Sequence, residues 1–154
     1  MVLHSFDYQE FLINGGHWID ANRRLWIAEH RGKTGLRDLR ETLLGMVHDV
    51  AWSSGYHGLT DLRDATLELS VNEVIRLGLL MRQPQLRTQG WLIYVVADET
   101  AHGVMRMLGH WSRTAERQRI FRSRQEAEKW LDGQRHRVPL RFLDERPDHF
   151  LNAS

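Results

Sequence analysis

Apolar positions along the chain change period several times, and each change marks an element. From Phe11 to Asp20, Phe11, Ile13, Trp18 and Ile19 surround Gly15 and Gly16, and Ala21-Asn22-Arg23 is a short polar turn. Arg24 to His30 then sets Leu25, Ile27 and Glu29 on one side and Trp26 and Ala28 on the other. Two such runs joined by a few residues predict an antiparallel hairpin. From Leu36 to Trp52 the spacing becomes helical, with Leu36, Leu39, Leu43, Met46, Val47 and Val50 at steps of three and four. After Gly55 and Gly58, Leu59 to Leu62 reads as a short strand that ends at Arg63 and Asp64, and Ala65 to Leu69 reads as a loop.

Ser70 and Glu73 form S-x-x-E, in which the hydroxyl accepts from the third helical amide and the carboxylate reaches back to the serine N–H. A helix carrying Val74, Ile75, Leu77, Leu79 and Leu80 follows, and Pro84 closes it. Trp91 to Val96 is continuously apolar, as befits a strand buried on both faces. Asp98 caps a helix with Ala101, Val104, Met105, Leu108 and Trp111 on one side. Ile120 and Phe121 mark one more strand, and Ser123 and Glu126 repeat the capping box before a helix that Gly133 stops.

The predicted order is β-β-α-β-α-β-α-β-α. Strands separated by single helices run parallel, so the expected class is α/β: a small mixed sheet, opened by an antiparallel hairpin, with helices packed on it. One domain over residues 1–133 and a polar tail over 134–154 are expected. Val138, Leu140 and Phe142 in that tail suit a short extended arm and make a homodimer reasonable.

Composition narrows the function. With 154 residues, 42% hydrophobic and 27% charged, the chain can bury a real core. No run reaches membrane-spanning length and no basic-then-apolar leader is visible, so a cytoplasmic protein without membrane contact is expected. The absence of cysteine removes disulfides, thiolate metal sites and a cysteine nucleophile. Residues 1–112 hold 11 basic and 13 acidic side chains and residues 113–154 hold 10 and 7, an asymmetry too mild for a nucleic-acid-binding stripe. Its basic cluster is Arg113, Arg117, Arg119, Arg122 and Arg124.

Nine histidines fall in no metal-binding spacing, G-x-S-x-G is missing, and neither phosphate-loop motif occurs. No cofactor and no enzymatic activity are expected. The acidic residues Asp61, Asp64 and Glu68 gather near the end of the third strand, where ligand crevices of open sheets lie; Asp61 and Asp64 with His57 give the weakest alternative, an enzyme. Trp91, Met105, Met107 and Trp111 border a possible apolar pocket, the basis of a second alternative, a small apolar ligand or lipid binder. Among six tryptophans, most belong in the core and one or two on a partner-facing surface.

The stretch from Leu59 through Asp61, Asp64, Thr66 and Glu68 to Ser70, followed by a helix, resembles the STAS-domain family of SpoIIAA-like anti-sigma-factor antagonists. So do the opening hairpin, the strand Trp91 to Ala97, and Arg119-Ile120-Phe121-Arg122 before Ala127 to Leu131, which together span residues 11–132. The resemblance is to stand-alone bacterial proteins of this kind and lies in the order of elements. It implies a non-enzymatic regulatory module in signalling whose partner, a kinase-like anti-sigma factor, phosphorylates a serine at a helix start. Ser70 stands at that place, and Asp61, Asp64, Thr66, Glu68 and Glu73 form the implied partner-contact loop. The family's D-S-[ST]-G is here Leu69-Ser70-Val71-Asn72.

Overall fold

The fold is described from a computed structural model over residues 15–134. Its strands are β1 (Gly15–Asp20), β2 (Leu25–Gly35), β3 (His57–Glu68), β4 (Leu92–Val95) and β5 (Gln118–Phe121). Its helices are α1 (Leu36–Val47), α2 (Val71–Met81), α3 (Glu99–Ser112) and α4 (Arg124–Gln134), with 3-10 turns at Pro84–Leu86 and Ala115–Arg117. The expected α/β order and mixed sheet are therefore present. The five strands lie in the order β1-β2-β3-β4-β5, with β1 and β2 antiparallel and every later neighbour parallel.

That sequential order fixes the layers. Crossovers of one hand between successive parallel strands return on the same side of the sheet. Accordingly α1, α2 and α3 share one face, where Trp26, Ala28, Leu62, Leu92, Tyr94 and Val96 meet Met46, Val74, Leu77, Met105 and Leu108. Helix α4 follows the last strand and covers the opposite face, packing Ala127 and Leu131 on Leu25, Ile27, Leu59, Ile93 and Val95. Strand β4 is buried on both faces and sits between β3 and β5, which explains its unbroken apolar run.

The caps act as the sequence implies. Ser70 Oγ accepts from the Glu73 N–H at 3.2 Å while Glu73 Oε1 accepts from the Ser70 N–H at 2.9 Å. Asp98 Oδ1 accepts from the Ala101 N–H, and Ser123 Oγ from the Glu126 N–H.

Four expectations are corrected. Helix α1 ends at Val47, not Trp52: His48 caps it, its Nδ1 lies 2.7 Å from the Leu44 carbonyl, and Val50 is fully exposed. Strand β3 does not stop at Leu62; it runs on to Glu68, and the expected loop 65–69 is mostly strand. Helix α4 passes through Gly133 to Gln134. The hairpin's second strand starts at Leu25, because Arg24 takes a left-handed φ of 54° to close the turn. The proposed arm Val138 to Phe142 and the start of the hairpin before Gly15 lie outside the described residues. Among the described residues no helix is long and apolar enough to cross a membrane.

Candidate functional site

Strand β3 is longer than its alternation suggests because it carries a bulge. Glu29 pairs with Asp61, yet the next facing pair is Arg31 with Asp64, so Leu62 and Arg63 together oppose His30. The extra residue resets the period. Asp61 before it and Asp64, Thr66 and Glu68 after it lie on one face, while Leu62, Ala65 and Leu67 turn to the core beneath α1 and α2. Past Asp61, β3 has outrun β4, whose last partner is Val95. What remains is a parallel ribbon of Arg31–Gly35 against Asp64–Glu68, leading directly into Ser70 and α2.

The sequence-predicted site residues separate into two groups. Asp64, Thr66, Glu68 and Ser70 are exposed, on the ribbon and at the helix start, with Glu73 bound to Ser70 by the capping box. Asp61 is not among them: only 7% exposed, it lies beneath α4 and cannot belong to a contact loop. Its Oδ2 accepts from Arg63 Nη2 at 2.8 Å and from Arg124 Nη1 at 2.9 Å, and its Oδ1 accepts from Arg63 Nε at 3.0 Å. Burial pushes the Asp61 carboxyl up, but the Arg63 and Arg124 hydrogen bonds outweigh it and hold the group below the usual carboxylate range.

Arg124 is the residue missed by sequence reasoning. Its Nη1 also donates to Glu29 Oε2 at 2.9 Å, and its Nε to Glu128 Oε2 at 2.7 Å; Arg23 donates to the other Glu128 oxygen at 2.8 Å. Burial opposes the Arg124 charge, and the three carboxylates more than restore it. This network locks α4 to the middle of β2 and β3, at Glu29 and Asp61. Only the Glu128 pairing, at i and i+4, had a signal in the sequence.

The remaining basic cluster is divided among separate tasks. Arg117 Nη1 donates to Thr88 Oγ1 and to the Gly90 carbonyl, Arg119 lies 4.9 Å from the Trp130 ring centre, and Arg122 pairs with Glu99. Arg113 is exposed at the left-handed end of α3. His57 does not approach Asp61 for catalysis. Its Nδ1 accepts from the Trp91 N–H at 2.9 Å, which leaves the proton on Nε2, 3.1 Å from the Gln134 carbonyl. Among the described residues no group of three or more His, Asp or Glu side chains is arranged to hold a metal ion. Of the tryptophans, Trp18 is the most exposed, at 38%, and Trp26 is buried.

The expected pocket residues part company as well. A cavity of ≈ 70 Å³ lies between the sheet and α1 to α3; Met105 lines it, whereas Trp91, Met107 and Trp111 do not. Its size falls well below the roughly 300–1,000 Å³ of drug-sized ligand pockets.

Fold and site together describe an α/β layered domain with a polar strand ribbon ending in a capped, exposed serine. No family model and no curated protein matches the chain. Among solved structures it is similar to an uncharacterised protein of the DUF3478 family with a SpoIIAA-like fold from Shewanella loihica PV-4. The two share 17% identity with a TM-score of 0.47, over 70% of this chain and 83% of the other.

Proposed function

We propose that this domain is a non-enzymatic, STAS-like docking module of cytoplasmic signalling, which meets a protein partner along the β2/β3 ribbon and is switched by phosphorylation of Ser70. The observation that carries the reading is the exposure of Ser70 at the start of α2, directly after a strand that has outrun its neighbour β4. Such a strand offers backbone N–H and C=O groups to an incoming extended segment, and Asp64, Thr66 and Glu68 would set its specificity.

The switch follows from the cap. A phosphate at Ser70 carries a charge of about −1.5 to −2 at neutral pH and is welcomed by the free amides of the first helical turn. The same charge repels the Glu73 carboxylate, now 2.9 Å from the Ser70 N–H. Phosphorylation would thus keep the helix start anionic but expel Glu73, altering the surface a partner reads.

The test is to incubate the full chain with ATP and a lysate of its source organism, map phosphate by mass spectrometry, and compare partner capture by wild type, Ser70→Ala and Ser70→Asp. Modified Ser70 and a capture difference between the two variants are expected. An unmodified Ser70 in a lysate that modifies a STAS control protein would sink the switch.

A further inference from the structure

Trp26 lines the ≈ 70 Å³ cavity, is 7% exposed, and its indole N–H has no hydrogen-bond partner among the described residues. A buried donor without an acceptor is costly, and most such groups in folded proteins are paired. Trp52 and Trp91 have the same deficiency, but neither lines this cavity. The indole is also held in place: it lies across Gly58 of β3, where a side chain would collide with it.

We propose that the cavity receives the polar end of a small uncharged amphiphile, an alkyl chain ending in a hydroxyl or carbonyl oxygen that accepts the Trp26 N–H. The walls decide the ligand's character. Leu43, Met46, Leu77 and Met105 make them largely apolar, threonines such as Thr42 and Thr60 add neutral hydroxyls, and among the described residues no carboxylate contributes. Arg117, the one arginine or lysine lining it among the described residues, already gives Nη1 to Thr88 and Gly90. Burial keeps the Tyr94 phenol protonated, with its pKa pushed up to about 12, and burial lowers the pKa of His30 despite Asp38 nearby. A charged head group would have no free counter-ion here.

Size decides where the chain goes. The cavity is about half the roughly 150 Å³ of an engineered cavity that takes up benzene, so it holds a ligand's end and not its whole length. The wall able to yield is α1. Helices α2 and α3 pack closely along each other, whereas α1 touches α2 sparsely, and Leu36, Leu39, Leu43 and Val47 of its apolar stripe stay half-buried. An alkyl chain leaving the cavity beneath α1 would complete that burial. This site lies on the helix-covered core and is independent of Ser70 and the ribbon.

The experiment is a titration of the full-length, ¹⁵N-labelled protein with 1-octanol, following the assigned Trp26 Hε1 resonance, with octyl sulfate as the anionic comparison. A saturable downfield shift is expected, with octyl sulfate binding at least ten times more weakly. Trp26→Phe keeps an aromatic ring, though a smaller one, and removes the donor; despite the room it opens, it should weaken octanol binding roughly three- to tenfold. Should Trp26→Phe not fold, the wild-type resonance alone decides. An Hε1 signal that octanol leaves unmoved up to its solubility limit means that water alone fills the cavity and overturns the proposal. Equal affinity in Trp26→Phe, or equal affinity for octyl sulfate, overturns it too.

Discussion

Arg124, at the first turn of α4, donates from one guanidinium nitrogen to Asp61 on β3, 63 positions earlier, with N···O at 2.9 Å. The same nitrogen reaches Glu29 on β2 at an equal distance, so a single side chain ties the last helix to two parallel strands. Both ends are largely removed from water, at 19% and 9% side-chain exposure. This distinguishes the contact from surface ion pairs, which contribute little.

Replacing Arg124 by Gln leaves Asp61 and Glu29 short of a donor beneath α4. Breaking a buried pair by removing one partner costs about 3–5 kcal/mol, and Arg63 and Arg31 retain part of the pairing. A loss of about 2–4 kcal/mol in urea unfolding is expected for Arg124→Gln. Arg124→Lys should recover only part of it, since an ammonium cannot serve three carboxylates through a planar fork.

Acid should loosen the domain in two steps. Burial lowers the His30 pKa below its ordinary value, so the unfolded chain takes up that proton first. His30 therefore leaves stability intact above about pH 6.5 and erodes it as pH falls from there through its folded value. Asp61 and Glu128 are also held below the carboxylate range, by arginine hydrogen bonds that outweigh burial. Their contribution is full above the ordinary carboxylate pKa, about 4, and disappears as pH falls through their lower folded values. Urea midpoints measured from pH 8 to pH 3 should show both limbs. His30→Gln should flatten only the upper one. Asp61→Asn should cost about 3 kcal/mol at neutral pH, with the gap to wild type narrowing below pH 4.

Gly58 lies against the Trp26 indole, its partner across the β2/β3 pairing. A methyl group there would overlap ring carbons of Trp26, so the indole must tilt out of its bed on the sheet. Overpacking of this kind costs roughly 1–3 kcal/mol. Gly58→Ala should lower the urea midpoint and shift the Trp26 Hε1 resonance even without ligand. An unshifted resonance would mean that the indole does not rest on Gly58.

The order of elements was legible because three of the four helix starts wrote their own chemistry into the chain. Ser70 with Glu73, Asp98, and Ser123 with Glu126 are local signals, and all three caps form. The end of β3 is hidden in the sequence for a local reason too. The bulge at Leu62 and Arg63 breaks the alternation, and only beyond it does the period return as Asp64, Thr66 and Glu68 outside, Ala65 and Leu67 inside. Residues 64–68 are thus a second phase of the same strand. The role of Arg124 was not recoverable in that way. Its bonds to Glu29 and Asp61 span 95 and 63 positions and exist only once the sheet order is fixed. Ser70 is exposed at its cap, whereas burial of Asp61 depends on where α4 lands.

The Ser70 cap offers a prediction that separates its structural role from any regulatory one. Its hydroxyl holds one amide of α2 and Glu73 holds the Ser70 N–H, so each member of the box satisfies a donor the helix would otherwise leave open. Ser70→Ala should cost about 1 kcal/mol, within the roughly 0.5–2 kcal/mol range of lost caps, and Ser70→Asp should restore most of it. Because the two bonds are reciprocal, Ser70→Ala and Glu73→Ala should not add: a double-mutant cycle should give a coupling of at least about 0.5 kcal/mol. Additive costs would mean that the two side chains act separately. A phosphate at Ser70 would then leave Glu73 undisturbed, and the proposed switch would lose its physical basis.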